Sequence, residues 1–414
     1  MYTEIHTCRI CGNSHLTTLF SLGEQALTGV FPTSPDQPVE KIPVELVKCT
    51  GKDTCGLVQL KHTGEPEQMY GDTYGYRSGL NAMMVTHLKG IADEVMDMVQ
   101  LQDGDVILDI GSNDATLLSF FSPSYRLIGM DPSGEKFRSF YPQHAVLVAD
   151  FFSADAFIAA SQGAKAKVIT SIAMFYDLPA PQKFVEDIER SLADDGIWVF
   201  EQSYLPSMLR ANAYDTICQE HLEYYTVRQI QWLLERAGLS MLRASLNDAN
   251  GGSIRIVAAK STHPSVAAGS VAKEFLEQER REGLDELSTY GRFRERIFEH
   301  RDGLNFLLAD LRKQGKTVFG LGASTKGNVL LQFCGLTERE LPCIAEVNEE
   351  KFGRYTPGTH IPIVSQKEAD ARNPDEYLVL PWHFREGIVQ GSRAFLERGG
   401  KLIFPLPEIS IVGA

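Results

Sequence analysis

The chain has 414 residues, of which 43% are hydrophobic and 23% are charged, a composition typical of a globular protein with two or three domains. Its formal net charge of −14 argues against nucleic acid as a partner, because the phosphate backbone attracts basic surfaces. No apolar run reaches the roughly 18 residues of a membrane span, and the N-terminus does not have the pattern of a signal peptide. We therefore expect a cytoplasmic protein without a membrane partner, as a monomer or small homo-oligomer.

Four of the seven cysteines lie near the N-terminus: Cys8 and Cys11 in CRIC, and Cys49 and Cys55 in KCTGKDTC. The C-x2-C spacing lets two thiolates from one turn reach one ion, and a second pair can complete a closed Zn(Cys)4 site. The C-x5-C spacing of the second pair is wider than usual, and the alternative is that Cys49 and Cys55 are simply buried thiols. The intervening segment has little apolar periodicity, so we predict that a structural zinc replaces the core that module 1–70 lacks.

A second module, predicted at 71–262, has the alternating pattern of an α/β domain. A helix is predicted from Met83 to Val99, and VILDIGSNDATLL (106–118) indicates a buried strand, a glycine turn and the start of a helix. Further strands are predicted at 126–133, 145–152, 167–175 and 196–204, separated by helical segments such as APQKFVEDIERSLADD. This alternation predicts a parallel sheet with helices on both faces.

The glycine turn of this module lacks the G-x-G-x-x-G spacing of dinucleotide-binding domains. Its Asp109-x-Gly111 sequence instead resembles the signature of class I methyltransferases, which use S-adenosylmethionine (SAM). Asp131 ends the next strand, where a carboxylate can accept hydrogen bonds from both ribose hydroxyls, and Asp150 precedes an aromatic slot for adenine. An aspartate at a strand end is often only a helix cap, so the prediction depends on three such residues at consecutive strand ends. The predicted cofactor-binding residues are Asp109, Gly111, Asn113, Asp131, Asp150, Phe151 and Ser171.

A third module, predicted at 263–414, begins with a charged helical stretch at 271–315 and continues as a smaller α/β unit. Gly320 and Gly322 of GLGASTKGN lie at a strand-to-helix turn, where backbone N–H groups favour an anion such as a diphosphate. The alternative is that these glycines only permit close packing. The predicted substrate-binding residues are Gly322, Ser324, Lys326, Asn328, Lys351 and Arg354.

Taken together, CRIC, GSNDATLL, QEHLEYY, GLGASTKGNVLL and GRYTPGTHIPI resemble the three-domain sugar C-methyltransferases that act on nucleotide-linked keto-deoxysugars. The resemblance implies a zinc-binding module, a SAM-binding domain and a Rossmann-like domain that helps to hold the nucleotide sugar. It also implies a product with a new methyl group on the ring carbon beside a ketone, usually C3 of a 4-keto-6-deoxyhexose.

The segment TICQEHLEYYT (216–226) carries the predicted catalytic residues. By resemblance, the family's Glu-His pair falls on Glu220 and His221, and a tyrosine of the segment joining the first two modules falls on Tyr76. The chain departs from the family at Cys218, where other members have tyrosine, and at Tyr176, where some have a histidine implicated in catalysis. It also has Ala115 in place of the third glycine of the turn, a change that we expect a helix start to tolerate.

Methylation of such a ring carbon requires a base and a donor near the ketone oxygen. His221 is the predicted base, since imidazole titrates near neutral pH. Tyr76 or Tyr224 would donate to the developing oxyanion, Glu220 would orient a sugar hydroxyl or the imidazole, and Tyr176 is a further candidate. The alternative is that His221 and the tyrosines only pack in the core. Competing functions are O- or N-methylation of a sugar, or a non-catalytic nucleotide-binding scaffold.

Overall fold

The computed structural model describes residues 2–65, 69, 76–266 and 271–413, and it confirms the predicted mixed α/β fold. Its strands are β1 (Tyr2–Glu4), β2 (Leu16–Ala26), β3 (Lys41–Cys49), β4 (Val58–Leu60), β5 (His62–Gly64), β6 (Val106–Ile110), β7 (Arg126–Met130), β8 (Val146–Val148), β9 (Ala166–Ile172), β10 (Leu192–Ser203), β11 (Glu223–Tyr224), β12 (Leu239–Asn247), β13 (Ser253–Lys260), β14 (Val318–Leu321), β15 (Ile344–Glu346), β16 (Ile363–Ser365), β17 (Glu376–Val379), β18 (Lys401–Phe404) and β19 (Ser410–Val412). Its α-helices are α1 (Ala82–Met98), α2 (Gly134–Phe137), α3 (Ala154–Ala160), α4 (Pro181–Ser191), α5 (Leu205–Arg210), α6 (Val227–Arg236), α7 (Ala272–Arg281), α8 (Leu287–Lys313), α9 (Thr325–Cys334), α10 (Gln366–Ala371), α11 (Arg385–Gly391) and α12 (Arg393–Glu397).

The N-terminal module contains an antiparallel sheet with the strand order β11-β4-β3-β2. Strand β11 comes from the predicted catalytic segment and pairs Tyr224 with Val58 of β4. The segment that carries the candidate base is therefore built into the sheet of the first module. In addition, β1 pairs with β5 in a separate two-stranded ladder.

The expectation that the N-terminal module lacks an apolar core is wrong. Strands β2 and β3 bury Phe20 and Leu46 in one cluster with Phe293 and Ile297 of α8 and with the C-terminal domain. Register shifts near Phe20 and between Ser21 and Glu24 interrupt the two-residue alternation along β2. The apolar pattern is thus irregular locally, and its partners lie more than 200 residues away in the chain.

The central domain has the predicted parallel sheet with helices on both faces. Its seven strands have the order β12-β13-β10-β9-β6-β7-β8, and β13 runs antiparallel to both of its neighbours. In the register, Ile110 of β6 is opposite both Met130 of β7 and Ser171 of β9. The carboxyl ends of these strands therefore share one edge, where ligands bind in open α/β sheets.

The structure corrects two local predictions in the central domain. The turn after β6 leads to a single 3-10 turn at Leu118–Phe120 and not to an α-helix, because Asn113 and Ala115 have φ values of 48° and 59°. Ala115, which replaces the third glycine of the turn, therefore has a left-handed backbone conformation, which glycine would adopt without steric cost. The residues after Ser191 start β10 instead of ending α4.

The C-terminal domain is a second α/β unit. Its six-stranded sheet has the order β16-β15-β14-β17-β18-β19, with only the edge strand β19 antiparallel. The charged stretch before it forms α7 and α8, and α7 packs on the central domain: Glu279 accepts hydrogen bonds from Tyr204 Oη and from the Val227 N–H, both at 2.7 Å. The domain limits at 70/71 and 262/263 stay predictions.

Across the described ranges, no helix combines the length and the apolar character needed to cross a lipid bilayer.

Candidate active site

The four N-terminal cysteines converge on one point. The sulfur atoms of Cys8, Cys11, Cys49 and Cys55 all lie within 4.8 Å of one another, with Cys8–Cys55 at 3.4 Å and Cys11–Cys49 at 3.5 Å. A tetrahedron with Zn–S bonds of about 2.3 Å has sulfur–sulfur edges of about 3.8 Å, so this donor set fits zinc. Four thiolates leave no open coordination position, which is the arrangement of a structural site.

The wide C-x5-C spacing is accommodated by an irregular loop between β3 and β4. Gly51, Asp53 and Gly56 all have positive φ values, which turn the chain back so that Cys55 faces Cys49. Asn13, which follows the first cysteine pair, connects it to the second pair by donating from its side chain to the Thr50 carbonyl at 2.9 Å.

Both halves of the metal module contact the segment at 216–226 and the helix that follows it. Arg9, inside the first cysteine pair, lies 3.6 Å from the carboxylate of Glu223, and both side chains are buried. Gln229 of α6 donates to the Cys55 carbonyl at 2.7 Å, and Arg228 donates to the Thr54 carbonyl at 2.8 Å. The cysteine cluster is therefore connected by side-chain contacts to the segment 216–226 and to α6.

The predicted SAM turn follows β6. Gly111 has φ of 70°, and a Cβ atom there would lie 3.0 Å from Met174 Cγ, so both the backbone conformation and the available space favour glycine. Asp109 is buried and accepts a hydrogen bond from Thr170 Oγ1 at 2.6 Å. Burial raises the pKa of the Asp109 carboxyl to about 7. The hydrogen bond from Thr170 therefore ties Asp109 to the neighbouring strand β9.

Asp131, predicted to bind the ribose, lies at the end of β7. One carboxylate oxygen accepts the Asn113 N–H at 2.8 Å, and the other accepts the Ser133 N–H at 2.7 Å and its hydroxyl at 2.6 Å. A carboxylate has further lone pairs available for ligand hydroxyls. Asp131 thus holds the SAM turn against the neighbouring strand and stands at the ligand edge of the sheet.

The other predicted cofactor residues differ in their accessibility. Asp150 is exposed and accepts the N–H of Phe151, whose ring is 46% exposed beside it. An aromatic ring left open at this edge suits a planar adenine. Ser171, in contrast, is fully buried, and its hydroxyl accepts a hydrogen bond from the indole of Trp198 at 2.9 Å.

His221 has a fixed orientation. Its Nδ1 lies 2.7 Å from the Thr216 carbonyl, which can only accept, so Nδ1 carries the hydrogen and Nε2 carries the lone pair. Its ring packs edge-on against Tyr176, with 4.3 Å between the ring centroids. Burial, together with the charge of Lys326, lowers the pKa of the imidazole to about 3. The neutral tautomer with a free Nε2 therefore predominates at pH 7.

Tyr176 brings this imidazole to the edge of the central sheet. It lies in the turn Phe175–Asp177, directly after β9, and its carbonyl accepts the Leu222 N–H at 2.8 Å. This backbone hydrogen bond joins the segment 216–226 to the loop that follows β9. His221 thus lies beside the predicted SAM edge.

Glu220 has different partners from its neighbour. It is buried and accepts a hydrogen bond from Thr28 Oγ1 at 3.0 Å, and burial raises the pKa of its carboxyl. The Thr28 carbonyl in turn accepts from Asn328 Nδ2 at 2.8 Å. Glu220 therefore stands at a junction of all three modules.

The remaining tyrosines occupy different environments. Tyr76 is 47% exposed, and its carbonyl accepts from Asn113 Nδ2 at 3.1 Å, so it lies beside the SAM turn. The next residues are held there by Asp114, which accepts the Gly79 N–H at 2.9 Å. Tyr224 is buried, and its hydroxyl has no hydrogen-bond partner within the described part of the chain. Cys218 is fully buried in the apolar cluster that also contains Tyr224, Phe20 and residues of the C-terminal domain.

The glycines of GLGASTKGN are engaged in packing. Gly322 has φ of 82°, and a Cβ atom there would lie 2.7 Å from the ring of Pro381. The next N–H, of Ala323, donates to the Glu346 carboxylate at 2.7 Å, and Ser324 caps α9 by accepting the Gly327 N–H. These contacts favour the packing alternative for the glycines, since a carboxylate already occupies the turn.

The other predicted substrate-binding residues lie at contacts between modules. Lys351 Nζ donates to the Ala323 carbonyl at 2.7 Å and lies 4.5 Å from the ring centroid of Phe31. Arg354 donates to the Phe31 carbonyl at 3.2 Å. Lys326 donates to the Asn250 carbonyl in the central domain at 2.7 Å, and its charge acts on His221. Of this group, Lys326 is the cation that belongs to the neighbourhood of the candidate base.

The structure adds residues that the sequence analysis missed, among them Asp215, Trp382 and His383. Trp382 donates its indole N–H to Asp215 Oδ2 at 2.7 Å, across the boundary between the central and C-terminal domains. Burial and the charge of Lys326 lower the pKa of His383 well below its ordinary value. The only signal in the sequence was position: PWHF begins two residues after the end of strand β17, at the ligand edge of the second sheet.

A cleft of about 350 Å³ opens between the central and C-terminal domains near the predicted SAM turn. Arg77, Leu80 and Phe137 line one side, and residues 347–350 line the other. Arg77 also lies 3.5 Å from the carboxylate of Asp114 in the turn. Arg77 is therefore the residue that connects this cleft to the turn after β6.

Comparison with known proteins covers nearly the whole chain. Residues 8–70 match a family model described as a putative zinc binding domain, residues 85–244 match a methyltransferase domain, and residues 248–407 match a C-methyltransferase C-terminal domain. The C-methyltransferase NovU of Streptomyces niveus is 31% identical over 415 aligned positions, which cover 99% of this chain and 97% of NovU.

Solved structures match only part of the chain. A SAM-dependent methyltransferase from Clostridium acetobutylicum is 12% identical with a TM-score of 0.33, covering 42% of this chain and 90% of its own. The plantazolicin methyltransferase BpumL is 13% identical with a TM-score of 0.33, covering 42% and 83%. Similarity at this level carries no weight for function.

Proposed function

Because this chain belongs to the C-methyltransferases that use SAM, we propose that it methylates a ring carbon, C3, beside the ketone of a nucleotide-linked 4-keto-6-deoxyhexose. One observation carries the proposal: His221 presents a neutral imidazole, with Nδ1–H held by the Thr216 carbonyl, beside Tyr176 at the end of β9. A base with a free lone pair at that edge suits a reaction that must first remove a proton from carbon.

In the proposed reaction, His221 Nε2 removes the hydrogen on C3, and the electron pair of that C–H bond moves to the ketone oxygen as an enolate. SAM supplies an electrophilic methyl group on a sulfonium, which the carbanion carbon takes as the C–S bond breaks. His221 then returns its proton to water. Because its pKa is lowered to about 3, the imidazole is a weak base, and removal of the C3 hydrogen therefore depends on a donor that stabilises the enolate oxygen.

The oxyanion requires a donor, and two groups are candidates. Lys326 carries a positive charge close enough to act on His221 and uses one of its three N–H bonds on the Asn250 carbonyl. Tyr76 lies beside the SAM turn with a half-exposed phenol. Either could stabilise charge that grows towards the transition state. Tyr224 is a weaker candidate, since its phenol lies in the shared core.

The cofactor would be held by Gly111, Asn113, Asp131, Asp150 and Phe151. The open Phe151 ring and exposed Asp150 suit the adenine, and the Asp131 carboxylate suits the ribose. For Asp109 and Ser171 we propose a supporting role, since each is hydrogen-bonded to a neighbouring strand.

For the nucleotide sugar, we propose the space between the central and C-terminal domains. Lys326 would face the sugar, whereas Asn328, Lys351 and Arg354 would act mainly by holding the C-terminal domain against residues 28–31. Gly322 and Ser324 would shape the turn that precedes Lys326 at the start of α9.

The test is incubation of the protein with SAM and a panel of nucleotide-linked 4-keto-6-deoxyhexoses, followed by location of the new methyl group by NMR. We expect a methyl group on C3. A methyl group on oxygen or nitrogen would overturn the proposal in favour of the alternative methyltransferase classes, and so would turnover of sugars that have no ketone.

The role of His221 is tested by His221→Ala, which should lower turnover by ~10²-fold or more while both ligands still bind. With S-adenosylhomocysteine bound in heavy water, the wild type should exchange the C3 hydrogen for deuterium and the variant should not. His144→Ala, an exposed histidine, is the control. Near-normal turnover of His221→Ala would move the base to Tyr176, Tyr76 or Glu220.

A further inference from the structure

The turn Tyr214–Thr216 lies between His221 and the C-terminal domain, and it binds both. The carbonyl of Thr216 accepts the Nδ1–H of His221 at 2.7 Å. The preceding residue, Asp215, accepts the indole N–H of Trp382 at 2.7 Å, and Asp215 is only 1% exposed. Two hydrogen bonds from adjacent residues thus link the candidate base to a side chain of a different domain.

A second contact holds the same two domains together beside this turn. The ring of Trp382 packs over Gly251, where a Cβ atom would lie 3.2 Å from the ring. The neighbouring Asn250 carbonyl accepts the Lys326 ammonium at 2.7 Å, from the start of α9. Trp382 is itself 8% exposed and lies directly after Pro381, whose ring fills the space over Gly322. The indole is therefore fixed on several sides.

Burying the Asp215 carboxylate beside Trp382 carries a desolvation penalty, which is unfavourable for folding. A buried carboxylate loses its hydration, and burial raises the pKa of Asp215, although the Lys326 charge opposes this. The indole N–H, as a donor to a charged group, offsets part of that cost. Packing alone would be served better by two apolar side chains.

Building on the proposed role of His221 as the base, we propose that Trp382 is a positioning residue for it. Its N–H holds the Asp215 carboxylate and thereby the turn whose Thr216 carbonyl selects the His221 tautomer and aims Nε2. The C-terminal domain would then do more than hold the nucleotide sugar: its docking would also orient the base of the central domain.

The test is Trp382→Phe in the full-length chain, which removes the N–H and keeps an aromatic ring. We expect kcat to fall about 5- to 30-fold, with the KM values for SAM and for the nucleotide sugar changed less than about 2-fold, because only the aim of the base is disturbed. Deuterium exchange at C3, with S-adenosylhomocysteine bound, should slow by the same factor.

The matched control is Trp232→Phe, since the indole nitrogen of Trp232 is buried without a hydrogen-bond partner among the described residues. Its kcat should equal that of the wild type. Asp215→Asn, whose amide oxygen can still accept from Trp382, should retain more activity than Asp215→Ala. The losses of Trp382→Phe and Asp215→Ala should be less than additive in the double variant.

Three outcomes would overturn the inference. The first is an unchanged kcat in Trp382→Phe, and the second is a decrease in kcat no larger than any decrease seen in Trp232→Phe. The third is a raised KM for the sugar with kcat unchanged, which would make Trp382 a substrate contact. If Trp382→Phe does not fold, equal activity of Asp215→Asn and Asp215→Ala would also overturn it. Failure of the proposed function is distinguishable, because the wild type itself would then place no methyl group on C3 and would show no exchange there. Failure of His221 as the base is distinguishable too, because His221→Ala would then keep its turnover and its exchange.

Discussion

At the scale of single residues, Glu220 and His221 illustrate how adjacent side chains take different tasks. Glu220 faces Thr28 of the first module, whereas His221 faces the Thr216 carbonyl and the ring of Tyr176. Burial acts on both in the same sense by opposing charge, which raises the pKa of the acid and lowers that of the imidazole. The result is a neutral histidine whose free nitrogen is fixed in direction.

The depressed pKa of His221 has a consequence for stability against acid. The folded state disfavours the imidazolium, whereas the unfolded chain binds a proton near pH 6.5, so stability is lost as the pH falls from 6.5 towards 3. The contribution is at most about 1.4 kcal/mol per pH unit. Urea unfolding between pH 6.5 and 4.5 should therefore give a shallower pH dependence for His221→Gln than for the wild type. Equal slopes would contradict the neutral state of the imidazole in the folded protein.

Asp131 allows a second prediction at this scale. Asp131→Ala should weaken SAM binding by about 1.5–3 kcal/mol, because ligand hydroxyls and the Asn113 N–H lose a charged acceptor together. Affinity for the nucleotide sugar should hardly change. Calorimetry measures both, with the exposed Asp97→Ala as the control. An unchanged SAM affinity would move the ribose contact to another residue.

Candidate site residues could be proposed from the sequence more readily than the contacts between them. The Asp-x-Gly turn and Asp131 were proposed from short motifs and the Glu-His pair from the family resemblance, and their roles stay predictions. Asp215 and Trp382 could not be paired from the sequence, because their hydrogen bond joins positions 167 residues apart. The reading of Gly322 as part of an anion site also omitted Pro381 and Glu346, which are distant in the chain and fill that turn.

At the scale of elements, the segment 216–226 joins two parts of the molecule. Residues Glu223 and Tyr224 form β11 in the sheet of the first module, while the residues before them hold the candidate base His221. This explains why so many polar and aromatic residues are gathered there: Glu223 pairs with Arg9, and Tyr225 stacks on Phe175 at 5.2 Å. Local periodicity could not reveal β11, since two residues are too few to show a pattern.

The four-cysteine site contacts the segment 216–226 and the helix α6 that follows it through its two loops. We expect about one zinc per chain, and we expect Cys49→Ser to lose the metal and to unfold at lower temperature. Activity should fall as well, since Arg9–Glu223 and Gln229–Cys55 connect the metal loops to the catalytic segment. Metal analysis and thermal unfolding measure these effects.

The control for the metal is Cys343→Ala, a buried thiol outside the cluster, which should keep its zinc. Well-folded, active protein purified without zinc would show that the cysteines need no metal.

At the scale of the whole molecule, residues of all three modules contribute to one apolar cluster, the shared core. The α/β alternation and the parallel sheet were predictable, because buried strands and amphipathic helices are recognisable one at a time. The joining of the first module to the C-terminal domain was not, since Gln332 bonds both the N–H and the carbonyl of Ala26 across 306 positions. The first module was therefore expected to be held together by a metal alone, whereas it also packs into the shared core.

The shared core implies that damage to the first module is felt in the last. Phe20 of β2 is 5% exposed and packs edge-on against Phe293 of α8, with 5.8 Å between centroids. Phe20→Ala should cost about 3–5 kcal/mol of unfolding free energy. Because the cavity would border α8, amide hydrogen exchange should accelerate in that helix, more than 260 residues away in sequence. Phe121→Ala, in a separate cluster of the central domain, should destabilise without selectively exposing α8. If α8 keeps its protection in Phe20→Ala, the two domains unfold independently and the shared core does not couple them.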